Sequence, residues 1–135
     1  TVTLFMVNQN KQTLQANRVF GADGKYFKIE ISLDTGIAGY VARTGQPAIV
    51  NDPYQNSYFN SNIDRETGFR THNILSLPII DPQSHEVIAV VQALNKLNNA
   101  EFDTEDLERF ADMMNALQGV LPDSIDAIQR SFTYL

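Results

Sequence analysis

The sequence predicts an α+β fold in which an antiparallel sheet is covered by helices. Three observations predict it: apolar residues that alternate in segments joined by short polar turns, a short glycine-bounded helix between strands, and a 3.6-residue apolar period near the C-terminal end. At 135 residues the chain makes one domain, 1–135, long enough to bury a core without covalent staples.

The elements follow in order. Residues 2–8 are apolar and β-branched, 9–12 form a polar turn, and 13–20 alternate through Leu14, Ala16, Arg18 and Phe20, which together read as a hairpin. After the glycine turn at 21–24, residues 26–33 give a third strand. Asp34-Thr35 is a helix N-cap signal, Ile37, Ala38 and Val41 share a helical face, and Gly45 stops the helix. A short strand at 48–50 precedes an irregular polar stretch, 51–72, that carries Tyr54, Tyr58, Phe59 and Phe69. Strands at 73–80 and 86–95 flank an Asp-Pro turn. From Thr104, read as an N-cap, the residues Leu107, Phe110, Ala111, Met114 and Leu117 repeat with helical period. A second short helix is expected at 123–133, with Ile125, Ile128 and Phe132 on one face.

Composition excludes several functions. Net charge is −6 and the ten Lys and Arg are scattered, so no nucleic-acid surface is expected. An anionic ligand would have to be held by backbone dipoles. There is no cysteine, which removes disulfides, thiolate metal sites, thiol catalysis and thioether cofactors. A reducing, cytoplasmic setting is compatible with that usage. The apolar runs at 74–80 and 87–94 are too short for a membrane span. The chain opens directly on a strand, as a segment of something longer would. His72 and His85 have no spacing that assembles metal ligands, and neither a nucleophile elbow nor a phosphate loop of the nucleotide-hydrolase type occurs. Neither an enzyme nor a metal protein is expected.

Chemistry of another kind is present. A helix beginning at Gly36-Ile-Ala-Gly39 offers unpaired backbone N–H groups to an anion, with the glycines permitting close approach. The same pattern also makes a plain structural turn. Asp64-Arg65-Glu66 reads as a solvated helical face. Asp64, Thr67 and Thr71, at i, i+3 and i+7, would share one side of a helical turn and bond a ribose or a base, or else cap a helix. Phe20 would stack on a base or fill the core.

The blocks GIAGYVARTG at 36–45, NDPY at 51–54, DRETGFRT at 64–71 and LSLPI at 75–79 occur in order. They resemble the cyclic-nucleotide-binding GAF domains of phosphodiesterases and cyanobacterial adenylyl cyclases, over nearly the whole chain. The resemblance implies that Phe20 stacks on a purine and that the backbone of Ile37 and Ala38 faces a cyclic phosphate. It implies that Asp64, Thr67 and Thr71 serve the ligand from a covering loop, and that Thr3 and Gln92 stand at the pocket floor. Asn60 replaces a common aromatic residue, and Gly21 replaces an aspartate that reads guanine, which tilts the expectation toward cAMP over cGMP. The family's dispersed signature is met by Asn95, Lys96, Phe102 and Asp106, with Leu107 where a glutamate is usual. The resemblance implies an ion pair between Lys96 and Asp106.

The function implied is a sensor that encloses a cyclic nucleotide and controls an effector domain on the same chain, such as a phosphodiesterase, cyclase or kinase. The alternative is a ligand-free module that forms a homodimer through terminal helices. The retained Asp64, Thr67 and Thr71 speak against that alternative.

Overall fold

The computed structural model describes residues 2–20 and 25–118. Six strands form one sheet: β1 (Val2–Asn8), β2 (Thr13–Phe20), β3 (Lys25–Ser32), β4 (Ala48–Val50), β5 (Ile74–Ile80) and β6 (Val87–Leu94). Their spatial order is β3-β2-β1-β6-β5-β4, and every neighbouring pair is antiparallel. Among the described residues three α-helices accompany it: α1 (Gly36–Thr44), α2 (Asn62–Thr67) and α3 (Thr104–Gln118). The expected α+β class is thus the observed one. The expected helix at 123–133 lies outside the described residues.

The period of two along each strand divides the core between the two faces. On one face Leu4, Leu75, Leu77 and Val91 pack against Phe102, Phe110 and Met114, the last two from α3. On the other, Phe5, Leu14, Ile29 and Val90 pack against Ala38 and Val41 of α1. Ile37, Val50, Ile74 and Leu94 extend that second layer toward the 51–72 segment. The central strands β1, β5 and β6 are covered on both sides, which explains their near-continuous apolar runs.

Two helix ends differ from expectation. Thr104 is the first helical residue of α3, and Asp103 caps it: the Asp106 N–H donates to Asp103 Oδ1 at 2.9 Å, and the Asp103 N–H donates to Asp106 Oδ2 at 3.0 Å. This reciprocal pair is a capping box built from two aspartates, which bond the orphan N–H groups more strongly than a threonine would. At α1, Thr35 occupies the N-cap without making a side-chain cap, because its hydroxyl donates to Ser32 O at 3.2 Å. Gly45 closes the helix at φ 68°, its N–H bonded to Val41 O at 2.9 Å.

The two glycines of GIAG have separate tasks. Gly36 adopts φ 75°, a conformation costly for any residue with a Cβ. At Gly39 a Cβ would stand 2.6 Å from the Leu33 carbonyl oxygen, so this glycine lets α1 lie against the turn that precedes it. Only Gly36 borders the cavity described below.

Candidate ligand-binding site

A cavity of about 60 Å³ lies between the α1 face of the sheet and the 51–72 segment. Phe5, Ile74, Gln92 and Leu94 form its floor, and Gly36, Ile37 and Ala38 bring the first turn of α1 to its side. Phe59, Asn60, Ile63, Asp64 and Thr71 close it from above. The first turn of α1 holds no acidic residue and no side-chain cap, so its N–H groups stand uncapped at the positive end of the helix dipole.

The covering segment is more ordered than the polar composition suggested. It contains a single 3₁₀ turn, Pro53–Gln55, and then α2. Within α2, Arg65 and Glu66 are exposed as a solvated face requires, but Asp64 is buried, 7% exposed. Helical spacing does not bring Thr71 to it. Gly68 ends the helix at φ 74°, its N–H bonded to Asp64 O, and the chain turns back. Thr71 then donates twice to the carboxylate, through N–H at 2.8 Å and Oγ1 at 2.9 Å. The Tyr54 hydroxyl donates a third bond at 2.6 Å. Asp64 is therefore neither a helix cap nor an unengaged ligand group; it ties the 3₁₀ turn, α2 and the approach to β5 together. The bond to Asp64 holds the Tyr54 phenol proton and raises its pKa above the ordinary value of 10.0. The Tyr54 ring also meets that of Phe59, tilted by 60° with 5.0 Å between centroids, and the Arg70 guanidinium, 3.9 Å from the ring centroid.

Among the other expected residues, Thr3 is buried in β1 directly opposite Gln92 of β6. The side chains of Phe20 and Thr67, and the whole of Gly21, lie outside the described residues. Asn60 borders the cavity and accepts the Asn62 N–H at 3.0 Å, which shapes the start of α2. Lys96 and Asp106 are paired at 2.6 Å, joining the end of β6 to α3. That bond raises the Lys96 pKa and, together with the Asp103 N–H, lowers that of Asp106. Leu107 packs half-buried against the α3-side core, where an ionised glutamate would lose hydration. Among the described residues, no group of three or more His, Cys, Asp or Glu is placed to hold a metal ion, and no helix is long and apolar enough to cross a membrane.

Sequence reasoning placed Asn51 and Asn95 in family motifs but did not find that asparagines fix the loop ends. Asn51 bonds both backbone groups of Phe102, at 2.9 and 3.0 Å. Asn73 accepts the Lys96 N–H and donates to Ala100 O, while Asn95 accepts the His72 N–H and donates to Arg70 O. Each uses both ends of its carboxamide across a long sequence separation, and no local signal announces such a contact.

These features are those of a small regulatory-type α+β module with a covered pocket, and the chain belongs to the GAF domain family, whose model matches residues 2–120. Among similar proteins, the cone cGMP-specific 3',5'-cyclic phosphodiesterase subunit alpha' of Gallus gallus is 45% identical over 89 residues, 66% of this chain and 10% of that protein. The dual 3',5'-cyclic-AMP and -GMP phosphodiesterase 11 of Drosophila melanogaster is 42% identical over 84 residues, 62% of this chain and 6% of that protein. The chain thus spans a tenth or less of these relatives. In shape it is similar to the GAF domain of a phosphoenolpyruvate-protein phosphotransferase from Coxiella burnetii, with TM-score 0.69, 17% identity, and coverage of 99% of this chain and 75% of that one. It is also similar to the free methionine-R-sulfoxide reductase of Neisseria meningitidis, with TM-score 0.63, 14% identity, and coverage of 87% and 64%. At such identities the likeness is one of fold.

Proposed function

We propose that this domain is a sensor that binds a cyclic nucleotide, with cAMP favoured over cGMP, and thereby controls an effector domain on the same chain. The observation that carries this reading is the convergence on one cavity of the uncapped first turn of α1 and the carboxamide of Gln92. The first suits a phosphate and needs no basic side chain, in keeping with a net charge of −6. The second suits a base or sugar edge. Similarity to two cyclic-nucleotide phosphodiesterases supports the same ligand class.

Ligand pockets commonly measure roughly 300–1,000 Å³, against about 60 Å³ here. Loading therefore requires the 51–72 segment to move outward and close again. Closure over ligand is a shift between two states, set by the ligand's differential affinity for them. Such a shift is the signal that an attached effector would receive.

A second reading, a ligand-free dimerisation module, is favoured by one observation. Asp64 and Thr71 satisfy each other within the protein, so their presence does not by itself require a ligand. Thermal unfolding with cAMP, cGMP, AMP and no addition separates the two. A ligand at about a hundred times its dissociation constant adds about 2.7 kcal/mol, several degrees in a domain of this size. The sensor gives a shift with a cyclic nucleotide and none with AMP. Absence of any shift, from protein free of carried-over nucleotide and dimeric in sedimentation, favours the module.

A further inference from the structure

The segment that covers the cavity is not held evenly along its length. Asn51 ties its start to Phe102, and Pro53, first in the 3₁₀ turn, is buried. Asp64 fastens Tyr54 and Thr71 to α2, and Asn95 holds the chain at Arg70 and His72. Residues 51–55 and 62–72 are thus anchored. The stretch 56–61 between them is not: among the described residues, the hydrogen bonds of Tyr58, Phe59 and Asn60 all stay between 56 and 62. Two of these are side-chain turns, in which Asn56 Oδ1 accepts the Tyr58 N–H at 2.9 Å and Asn60 Oδ1 accepts the Asn62 N–H at 3.0 Å. Such turns close on themselves, so the stretch can move without breaking a bond to the sheet. Its hold on the body of the domain is through rings. Phe59 packs against the cluster of Ile37, Val50, Ile74 and Leu94, and both Phe59 and Asn60 line the cavity. Tyr58, 50% exposed, meets the ring of Tyr40 in α1, with 4.9 Å between centroids and a tilt of 41°.

We propose that residues 56–61 alone form the gate of the cavity, and that the Tyr40–Tyr58 ring contact is its latch. This rests on the loading step of the sensor reading and narrows the moving part from the whole of 51–72. Six residues span up to roughly 20 Å when extended, so the gate swings clear while both its ends stay in place. Opening lifts Phe59 and Asn60 off the cavity and costs the ring contacts of Phe59 and Tyr58. The Tyr54–Asp64–Thr71 bonds stay closed throughout and act as the frame in which the gate moves. Tyr40 lies on α1, the helix whose first turn borders the cavity, so one element both offers the site and fastens its cover.

The chain has no cysteine, so a single introduced thiol reports exposure without background. Ile74→Cys places it on the cavity floor, and Ser76→Cys places it two residues along β5, at a fully buried position outside the cavity lining. Each variant of the 135-residue chain is labelled with N-ethylmaleimide and no nucleotide, so the gate and the ligand's identity are tested apart. Position 74 is expected to label faster than position 76, which reports global unfolding. Tyr58→Ala is expected to raise the rate at 74 roughly fivefold, the worth of an aromatic pair, and to leave 76 unchanged. Tyr58→Phe keeps both rates. Hydrogen exchange at the Thr71 amide is expected to stay as slow in Tyr58→Ala as in the wild type. Equal labelling at 74 and 76 overturns the gate, since the cavity then opens only by unfolding. A parallel rise in Thr71 exchange overturns its narrow extent, because the anchored part then opens too. A rate at 74 that Tyr58→Ala leaves unchanged overturns the latch. Should Ile74→Cys prove unstable in urea, Leu94→Cys reads the same floor.

Discussion

Replacing Asp64 tests whether the covering segment is held by its own chain. In Asp64→Ala the Thr71 N–H and hydroxyl both lose their acceptor, and Thr71 is only 3% exposed, so water does not replace it. A buried polar group left unsatisfied costs about 1–3 kcal/mol, so the two together cost about 3 kcal/mol. Tyr54 is 38% exposed, and its hydroxyl turns to solvent at little further cost. Asp64→Asn behaves differently. With its oxygen in the Oδ2 position it still accepts from Tyr54 and from the Thr71 N–H, and its NH₂ donates to the Thr71 hydroxyl, which can reverse. Its cost is about 1 kcal/mol, the difference between charged and neutral acceptors. Urea unfolding gives the two values, and hydrogen exchange at the Thr71 amide shows whether the loss is local or global. Equal costs for Ala and Asn would refute the geometric account and leave charge alone as the cause. An Ala cost below about 1 kcal/mol, with Thr71 exchange unchanged, would show that these bonds do not hold the segment.

Three further outcomes are expected. Asp103→Ala removes one half of the box that starts α3 and costs about 1 kcal/mol, read as a lower urea midpoint with unchanged slope. Gly39→Ala destabilises by about 1–3 kcal/mol in thermal unfolding, although alanine is the better helix former, because its Cβ meets the Leu33 carbonyl; a gain in stability would contradict this. The Lys96–Asp106 pair contributes within a pH window. Asp106 titrates below its ordinary 3.8, so its share is present above that value and drains as pH falls through the lower folded value. Lys96 titrates above its ordinary 10.5, so its share is present below that value and is lost as pH rises through the higher one. Both side chains are partly exposed and the share is small. The stability difference between wild type and Asp106→Asn should therefore narrow from pH about 5 toward pH about 2.

Strands β2 and β3, with α1 and α3, were legible because each buries one face, which writes a period of two or 3.6 into the sequence, and β1, β5 and β6 because burial on both faces leaves near-continuous apolar runs. The site was legible in part. Gly36, Ile37, Ala38, Asp64, Thr71 and Gln92 do meet at one cavity. The grouping of Asp64 with Thr71 was right for a reason the spacing did not contain, since a left-handed Gly68 and a reversed chain unite them. Asp103 and Thr104 are adjacent cap-forming residues, and only the reciprocal bond with Asp106 selects between them. Asn51 and Phe102 are joined across the fold, and nothing near either residue foretells it.

The uncapped first turn of α1 has a genetic consequence. Its donors belong to the main chain, so they survive replacement of the side chains around them, and a scan that truncates residues one by one would pass over a phosphate subsite of the proposed kind without detecting it. Only substitutions that act on the backbone itself reach it: proline, which deletes an N–H, or any residue other than glycine at position 36, where φ is 75°. A chemistry encoded in this way drifts slowly as its neighbours change. It is read in amide resonances before it is read in mutant phenotypes.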